Sequence, residues 1–412
     1  MALLPDVIVE EDRTTDPLVI PTAWTDQSSR FRSGQVRYGR QRQLNKTQPG
    51  YASVKMNNQD RGLDPSPTIH PTNHFRLRAV WSGTTYDLFR GFVKSRRQEW
   101  PARKDAISRV EAEDGFSLMA RYDLEGQSIA EMSTGDHLAA VLTLYGWPPA
   151  GSVPPGKTWW RLGTAGFSEL GTTTYLGESL ESLDEGTSTI MATTLTGNLL
   201  DHLLNVAELT EGGLLYMGPS GDVIFKEPAL PHQPSVAVWG DAEGEFPYHD
   251  IVMSDEDEAI YNDVRITRRG DSAISTAKDQ TSIDTHGPRT LPISDTLFST
   301  KAQADQHAAT LLDRYKDPWN YPVRLVLRPS RDPNMWPLVL GMQLGTKITV
   351  RRRPPGGGDP IEVDSLIVGI TYEIDPNGWQ VTWDLEPTRV HEGYWYLGVA
   401  GMSELGTTTK LG

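Results

Sequence analysis

Short stretches in which apolar and polar residues alternate occur in two parts of the chain. Each part has three such stretches separated by turns rich in Gly or Pro; they are Phe75–Val80, Leu88–Val93 and Ile107–Ala112, then Lys347–Val350, Leu366–Ile370 and Gln380–Leu385. Alternation with a period of two is typical of strands with one buried face. The pattern predicts two related antiparallel β-barrels, at residues 25–125 and 246–390, and it matches Gly91 of the first with Gly369 of the second.

Helical spacing appears between and within these regions. Thr134–Tyr145 and Leu195–Leu209 each place apolar residues on one face, as core-facing helices do. Thr300 and Gln303 have the spacing of a capping box and predict a helix over residues 300–316, inside the second barrel domain. A Gly-Pro-Ser-Gly-Asp turn at Gly218–Asp222 predicts a hairpin.

These elements predict a β-rich α+β fold with two antiparallel, hub-type β-barrel domains and a smaller α+β middle region. Residues 1–24 are rich in Pro, Asp and Thr and are expected to form an extended arm rather than a packed element. The predicted remaining parts are a helical connector at 126–158, a repeat segment at 159–177, the middle domain at 178–245 and a C-terminal repeat segment at 391–412.

A nineteen-residue segment occurs twice, as Trp159–Gly177 and as Tyr394–Gly412, with 14 identities between the copies. Its Leu-Gly pairs and Thr runs predict short strands broken by glycine, in a hairpin module that docks on a neighbour. Carbohydrate stacking on the tryptophans is the alternative. The candidate contact residues are Trp160, Leu162, Glu169, Leu170 and Thr172 in the first copy, and Trp395, Leu397, Glu404, Leu405 and Thr407 in the second.

Basic and acidic residues are concentrated in different parts of the chain, which as a whole carries a net charge of -15. Residues 30–109 contain 17 Lys or Arg and 5 Asp or Glu, whereas residues 110–262 contain 4 and 25, so the local net charges are +12 and -21. Complementary surfaces that steer docking are one interpretation, and two solvated faces are the other. The residues expected to face an acidic neighbour are Arg37, Arg40, Arg42, Arg96 and Arg97.

No motif in the chain predicts catalysis, a metal site or a cofactor. The sequence has no cysteine, and its nine histidines form no HExxH or similar arrangement. The basic stretch lacks any helix-turn-helix, zinc-finger or RNA-binding signature, so sequence-specific nucleic-acid binding is not expected. No membrane span is expected, since no run of about 18 apolar residues occurs.

Several segments resemble the minor tail proteins of siphophages that infect actinobacteria, and in particular those similar to the baseplate hub of tailed phages. The segments that carry the resemblance are Phe31–Pro65, Phe75–Ser95, Glu256–Gly270 and the stretch from Asp279 through the Ala-rich helix to Tyr315. The resemblance extends from about Arg30 to Pro387. A bacterial contractile-injection hub has the same architecture and stays a possible alternative.

The resemblance implies a structural virion protein at the distal end of the tail. Such hubs form a homotrimeric ring in which two barrels per chain adapt a six-fold tail tube to a three-fold tip, around a channel for the genome. Expected partners are the distal tail protein, the tape measure protein and other minor tail or fibre proteins. The competing function is a tail-associated cell-wall hydrolase or a carbohydrate-binding receptor protein.

Overall fold

A computed structural model describes most of the 412-residue chain. The described residues are 4–13, 23–41, 46–101, 105–145, 173–175, 178–180, 183–228, 234–254, 260–318 and 320–388.

The first half of the main sheet comes from the N-terminal quarter of the chain. Its strands are β1 (Asp6–Asp12), β2 (Thr25–Asp26), β3 (Phe31–Gly39), β4 (Gln48–Asn57), β5 (His74–Trp81), β6 (Thr84–Glu99) and β7 (Ile107–Glu113). They lie side by side in the order β2-β1-β5-β6-β7-β4-β3. Alternation is visible throughout: on β4, Ala52, Val54 and Met56 are buried and the residues between them are not.

A smaller middle region follows, with its own hydrophobic core. Its elements are α1 (Phe116–Met119), β8 (Asp123–Ile129), β9 (Met132–Ser133), α2 (Thr134–Leu144), β10 (Thr173–Tyr175), β11 (Glu178–Leu180), β12 (Thr189–Ile190), β13 (Thr193–Asn198), α3 (Leu199–Leu204), β14 (Leu214–Met217) and β15 (Val223–Lys226). The second predicted helix is shorter than expected, because Leu195 lies in β13 and Asn198 caps α3. A π-helical turn, Asn205–Thr210, continues α3.

The rest of the chain forms the second half of the main sheet and a module inserted into it. The elements are β16 (Val238–Gly240), β17 (Phe246–Pro247), β18 (Asp250–Ser254), β19 (Asp263–Arg268), β20 (Ile274–Lys278), α4 (Gln280–His286), β21 (Thr290–Thr296), α5 (Lys301–Tyr315), β22 (Tyr321–Leu327), α6 (Trp336–Gly341), β23 (Lys347–Arg352), β24 (Ile361–Asp375) and β25 (Gly378–Pro387). Strands β19 to β21 form a separate sheet against α5, whose N-terminus has the capping box of Thr300 and Gln303.

The two halves of the main sheet have the same strand order. The second half runs β17-β16-β23-β24-β25-β22-β18, so each strand of the first half has a counterpart at the same place in the chain order and in the sheet. The inserted module lies between β18 and β22, where the first half has only the connection from β3 to β4. The edge strands differ in direction, because β16 pairs parallel with β23 whereas β1 pairs antiparallel with β5.

Hydrogen bonds fix which residues of the two halves correspond. Thr72 N–H donates to the Val93 carbonyl and Gly345 N–H donates to the Ile367 carbonyl, and both donors have left-handed φ values, 77° and 81°. The β-bulge that follows Val93 on β6 also follows Ile367 on β24. Val93 therefore corresponds to Ile367, and Ser95 to Gly369.

This correspondence corrects two expectations. The match of Gly91 with Gly369 is wrong by four residues, because the bulge and not the glycine marks equivalent points. Separate barrels are not confirmed: within the described residues β24 pairs with β3, so both halves belong to one 14-stranded sheet and share one hydrophobic core, and no closed barrel is present. The β-rich class itself is confirmed.

The N-terminal segment also differs from the expected arm. Residues Asp6–Asp12 form β1 and pair along their whole length with β5. Val9 is fully buried, and so are the neighbouring carboxylates of Glu11 and Asp12. Arginines on β5 and β6 neutralise Glu10 and Glu11, so the acidic segment packs against the sheet.

Candidate functional site: a polar sheet face with two open edges

One face of the main sheet is polar across both halves. On β3, Val36 and Tyr38 are buried in the core, whereas Gln35 and Arg37 lie on the opposite side. The strand register places alternate residues of the neighbouring strands on that side as well; they are Tyr51, Ser53, Lys55, Arg97, Arg109, Glu111, Glu113, Thr371, Glu373, Gln380, Thr382, Asp384 and Arg324. We call this surface the polar face.

The two halves meet in a seam formed by β24 and β3. Six residue pairs join them, from Gly369 opposite Gly39 to Ile374 opposite Gly34. At one end, Arg40 N–H donates to the Val368 carbonyl over 2.8 Å. Gly39 has φ 92°, and a Cβ on it would collide with that same carbonyl oxygen. The seam therefore depends on a glycine.

A groove of about 650 Å³ crosses the seam on the polar face. Its walls carry charges of both signs, since Lys55, Arg328 and Arg331 line it together with Glu373 and Asp375. Glu373 also accepts a hydrogen bond from Gln380, at 3.3 Å. The groove is thus hydrophilic and of mixed charge.

The five arginines singled out from sequence lie in different environments. Arg37 and Arg97 lie on the polar face, and Arg42 lies outside the described residues. Arg40 and Arg96 are instead turned against carboxylates of the same chain, those of Glu386 and Glu11. An acidic neighbour is accordingly proposed below only for the polar-face pair.

Arg40 lies at a buried junction of the two halves with the middle region. Its Nη2 donates to Glu386 Oε2 over 2.9 Å, and Arg314 Nη1 lies 3.5 Å from the other oxygen of that carboxylate. Burial alone would lower the pKa of Arg40, but the carboxylates of Glu386 and Glu208 hold it above its usual value. Arg40 therefore has a structural role in this chain.

Arg96 is one of four arginines that pair with carboxylates of β1; the others are Arg13, Arg76 and Arg78. Glu10 accepts from Arg76 Nε at 2.6 Å and from Arg78 Nη2 at 2.6 Å, and Glu11 accepts from Arg96. Burial raises the pKa of Glu10, but the hydrogen bonds and charges of Arg76 and Arg78 outweigh it and leave the pKa below its usual value. Sequence reasoning missed these carboxylates, although the alternation of Val7 and Val9 was a signal for a strand.

The predicted contact residues of the duplicated segment lie outside the described residues. They are Trp160, Leu162, Glu169, Leu170, Thr172, Trp395, Leu397, Glu404, Leu405 and Thr407. Only the end of the first copy is described: Thr173–Tyr175 pairs antiparallel with Glu178–Leu180.

Besides the two-residue end strands β2 and β17, β18 and the C-terminal part of β6 each have an open edge among the described residues. Strand β18 pairs only with β22, so its other edge has no strand partner there. On β6, Ser95–Glu99 pair with β7 on one side, but β5 reaches only to Phe92 on the other. An open edge exposes backbone donors and acceptors and is a template for a further strand.

The described part of the chain contains no cluster of metal ligands and no helix suited to crossing a membrane. No three His, Asp or Glu side chains there lie close enough together to hold a metal ion. None of the helices in those ranges combines the length and apolar character needed to cross a membrane.

Comparison with solved structures identifies the fold. The chain is similar to the tail protein from Neisseria meningitidis MC58, with a TM-score of 0.57 and 13% identity over 92% of this chain and 96% of the other. It is also similar to the 43 kDa tail protein of prophage MuSo2 from Shewanella oneidensis, with a TM-score of 0.54 and 12% identity over 93% and 96%. The fold is that of phage tail proteins, as the sequence resemblance implied.

A weaker likeness, with a TM-score of 0.46 and 9% identity, covers 89% of this chain and 75% of an E. coli component of the type VI secretion system. No protein-family model and no curated protein matches the sequence. What the chain shares with known proteins is therefore its fold.

Proposed function

We propose that this chain is a structural component of a phage tail tip, of the baseplate-hub kind, which assembles as a homotrimeric ring. The observation that carries the proposal is the repeated strand order within a phage-tail fold. Three copies would supply six equivalent halves, which suits an adaptor between a six-fold tube and a three-fold tip. The ring would lie at the distal end of the tail.

In this ring the polar face lines the central channel, and the shared hydrophobic core lies outside it. Water-filled channels need hydrophilic walls, and the polar face extends without interruption across the seam. The genome would pass along it without sequence-specific contact. The role is mechanical rather than enzymatic, and host attachment and DNA ejection would depend on the proteins held by the ring.

The proposed neighbours are the distal tail protein and tape measure protein on one side and fibre or other minor tail proteins on the other. Arg37 and Arg97 are proposed to face acidic groups in the assembled tip. The duplicated segment is proposed as the docking module, through the ten residues named above.

The experiment is electron microscopy of the assembled protein combined with immunogold labelling of virus particles. We expect a ring of three chains, each of 45.7 kDa, with a central opening, and gold at the tail tip. Gold on the capsid, or the absence of the protein from purified particles, would contradict the proposal. Clearing of host peptidoglycan by the purified chain in a zymogram would favour the hydrolase instead.

A further inference from the structure

The seam inside the chain provides a template for contact between chains. On β24, the residues that follow the bulge pair with β3, so that Glu373 lies opposite Gln35 and Ile374 opposite Gly34. This contact joins β24, the long central strand of the second half, to β3, the outermost strand of the first half in the sheet. Because the halves have the same strand order, the same two strand positions exist once more in each copy.

The first of these positions is the open edge of β6. From the equivalence of Ser95 with Gly369, Glu99 corresponds to Glu373 and Trp100 to Ile374. The edge of β24 that β3 occupies therefore corresponds to the unoccupied edge of β6 beyond Val93. Nothing in the described residues pairs with it as a strand.

The second position is β18, the counterpart of β3. In the first half, Ser33 on β3 pairs with Lys55 on β4, which pairs with Arg109 on β7. In the second half, Asp250 on β18 pairs with Val326 on β22, which pairs with Thr382 on β25. Counting from these equivalent pairs, Ile251 corresponds to Gly34. Val252 then corresponds to Gln35, and both lie on the polar face.

We infer that copies of this chain join edge to edge, with β18 of one copy adding antiparallel to the open edge of β6 of the next. The register is that of the internal seam, so Val252 lies opposite Glu99 and Ile251 opposite Trp100. The inference rests on the proposed ring, for which it names the contacting surfaces. The partner at this edge is a second copy of the chain.

The apolar residues at both edges support this pairing. Trp100 is 72% exposed and Val252 is 42% exposed, although both are large hydrophobic side chains. The transferred register brings Trp100 beside Ile251 on the core side of the sheet, whereas Val252 lies on the polar face. A buried Trp removes about 150–250 Å² of surface from water and is often a central contributor at interfaces. The pairing thus covers the exposed Trp100 side chain and two open strand edges together.

Cysteine cross-linking tests the register directly, because the chain has no cysteine of its own. Residues directly opposite in an antiparallel pair have Cα atoms about 4.5–5.5 Å apart, which suits a disulfide. We expect the double variant Glu99→Cys with Val252→Cys to form disulfide-linked dimers and trimers under mild oxidation. A non-reducing gel of the full chain reads out the products.

Two matched pairs serve as controls. Lys55→Cys with Val252→Cys keeps one partner and moves the other to β4 on the same polar face, and it should stay monomeric on the gel. Ser95→Cys with Val252→Cys tests a register displaced by four residues. Efficient cross-linking of either control, or none of the Glu99 pair at any protein concentration, would overturn the inference.

A second variant tests the apolar contact without any oxidation. Trp100→Ser should raise the dissociation constant for self-association at least tenfold, measured by analytical ultracentrifugation, and it removes no core contact. Tyr122→Ser replaces another exposed aromatic residue away from both edges and should leave association unchanged. A trimer that forms normally with Trp100→Ser and with no Glu99–Val252 cross-link would refute this register while leaving the proposed ring intact.

Discussion

Both halves of the sheet have carboxylates at or beside the edge strands that pair with arginines of neighbouring strands, but they bury these ion pairs to different depths. In the first half, Glu11 and Arg96 side chains are 2% and 4% exposed. In the second half, Asp241 and Glu245 lie beside β16 and β17 and pair with arginines at the end of β23. There the Arg353 and Asp241 side chains are 37% and 27% exposed.

The comparison shows that ion pairs can hold an edge strand in place both when they are buried and when they are partly exposed to solvent. A buried ion pair gives up its hydration, so each member depends on the other. An exposed pair keeps much of its hydration and contributes little on its own. Both halves share charges among several partners, since Glu10 pairs with Arg76 and Arg78 and Arg353 contacts both Asp241 and Glu245.

Removing the buried carboxylate gives the largest expected effect. Glu11→Ala leaves the Arg96 guanidinium buried without its anion, and we expect a loss of about 3–5 kcal/mol in the free energy of unfolding. Urea unfolding followed by fluorescence measures it. Glu131→Ala, a change at an exposed carboxylate in the middle region, is the control and should stay within about 0.5 kcal/mol. A Glu11→Ala loss below about 1 kcal/mol would remove the contrast between the halves.

Acid should act on the middle region before it acts on either half. His137 Nε2 and His202 Nε2 lie 3.0 Å apart, and burial lowers the pKa of His137 to about 4 and that of His202 to about 3. The unfolded chain takes up these protons near pH 6.5, so stability present above that pH is lost as the pH falls. Each histidine contributes up to about 1.4 kcal/mol per pH unit.

Thermal unfolding between pH 7 and 4 tests this dependence. The double variant His137→Gln with His202→Gln should show a flatter profile, whereas His70→Gln, at an exposed site, should keep the wild-type slope. Equal slopes in all three proteins would show that the histidine pair does not control acid sensitivity.

The seam should tolerate no side chain at Gly39. Gly39→Ala combines a strained φ with a collision against the Val368 carbonyl, and we expect a loss of roughly 1–3 kcal/mol. Gly83→Ala is the matched control, because its φ is 82° but no atom lies within 4 Å of the added Cβ. Its loss should be about 1 kcal/mol. Equal losses would mean that φ, and not the seam contact, determines the cost.

The exposed edge of the second half gives the smallest expected effect. Asp241→Ala should cost no more than about 1 kcal/mol, because its arginine partners remain solvated and Arg353 keeps Glu245. Repeating the unfolding measurement in 1 M NaCl should shrink even this difference. A salt-independent loss as large as that of Glu11→Ala would show that the two edges are alike.

Local signals in the sequence were sufficient to predict several elements of the fold. Thr300 and Gln303 predicted the start of α5 because a capping box needs only residues three apart. The turn at Gly218–Asp222 likewise predicted the hairpin of β14 and β15. The spacing of the two strand triplets also predicted that the halves are related.

Contacts between distant residues could not be predicted in this way. The seam pairs residues near position 36 with residues near position 372, and no local pattern encodes such a register. Strand β1 was missed because the Pro, Asp and Thr content of residues 1–24 suggested an extended arm, and the partners of its carboxylates, Arg76, Arg78 and Arg96, lie more than sixty positions away. The charge asymmetry was visible in the sequence, but its neutralisation within the chain was not.

The mixed charges of the polar face have a consequence for the movement of a charged polymer along it. Arg324 pairs with Asp384, whose charge also interacts with that of Arg37, and Arg109 pairs with Glu99, so opposite charges lie close together. At physiological ionic strength fields are screened over about 8 Å, and such neighbours cancel at short range. In the proposed ring, a polyanion would move along a hydrated wall that has almost no net charge. It would meet little resistance, and no part of the wall would bind it strongly.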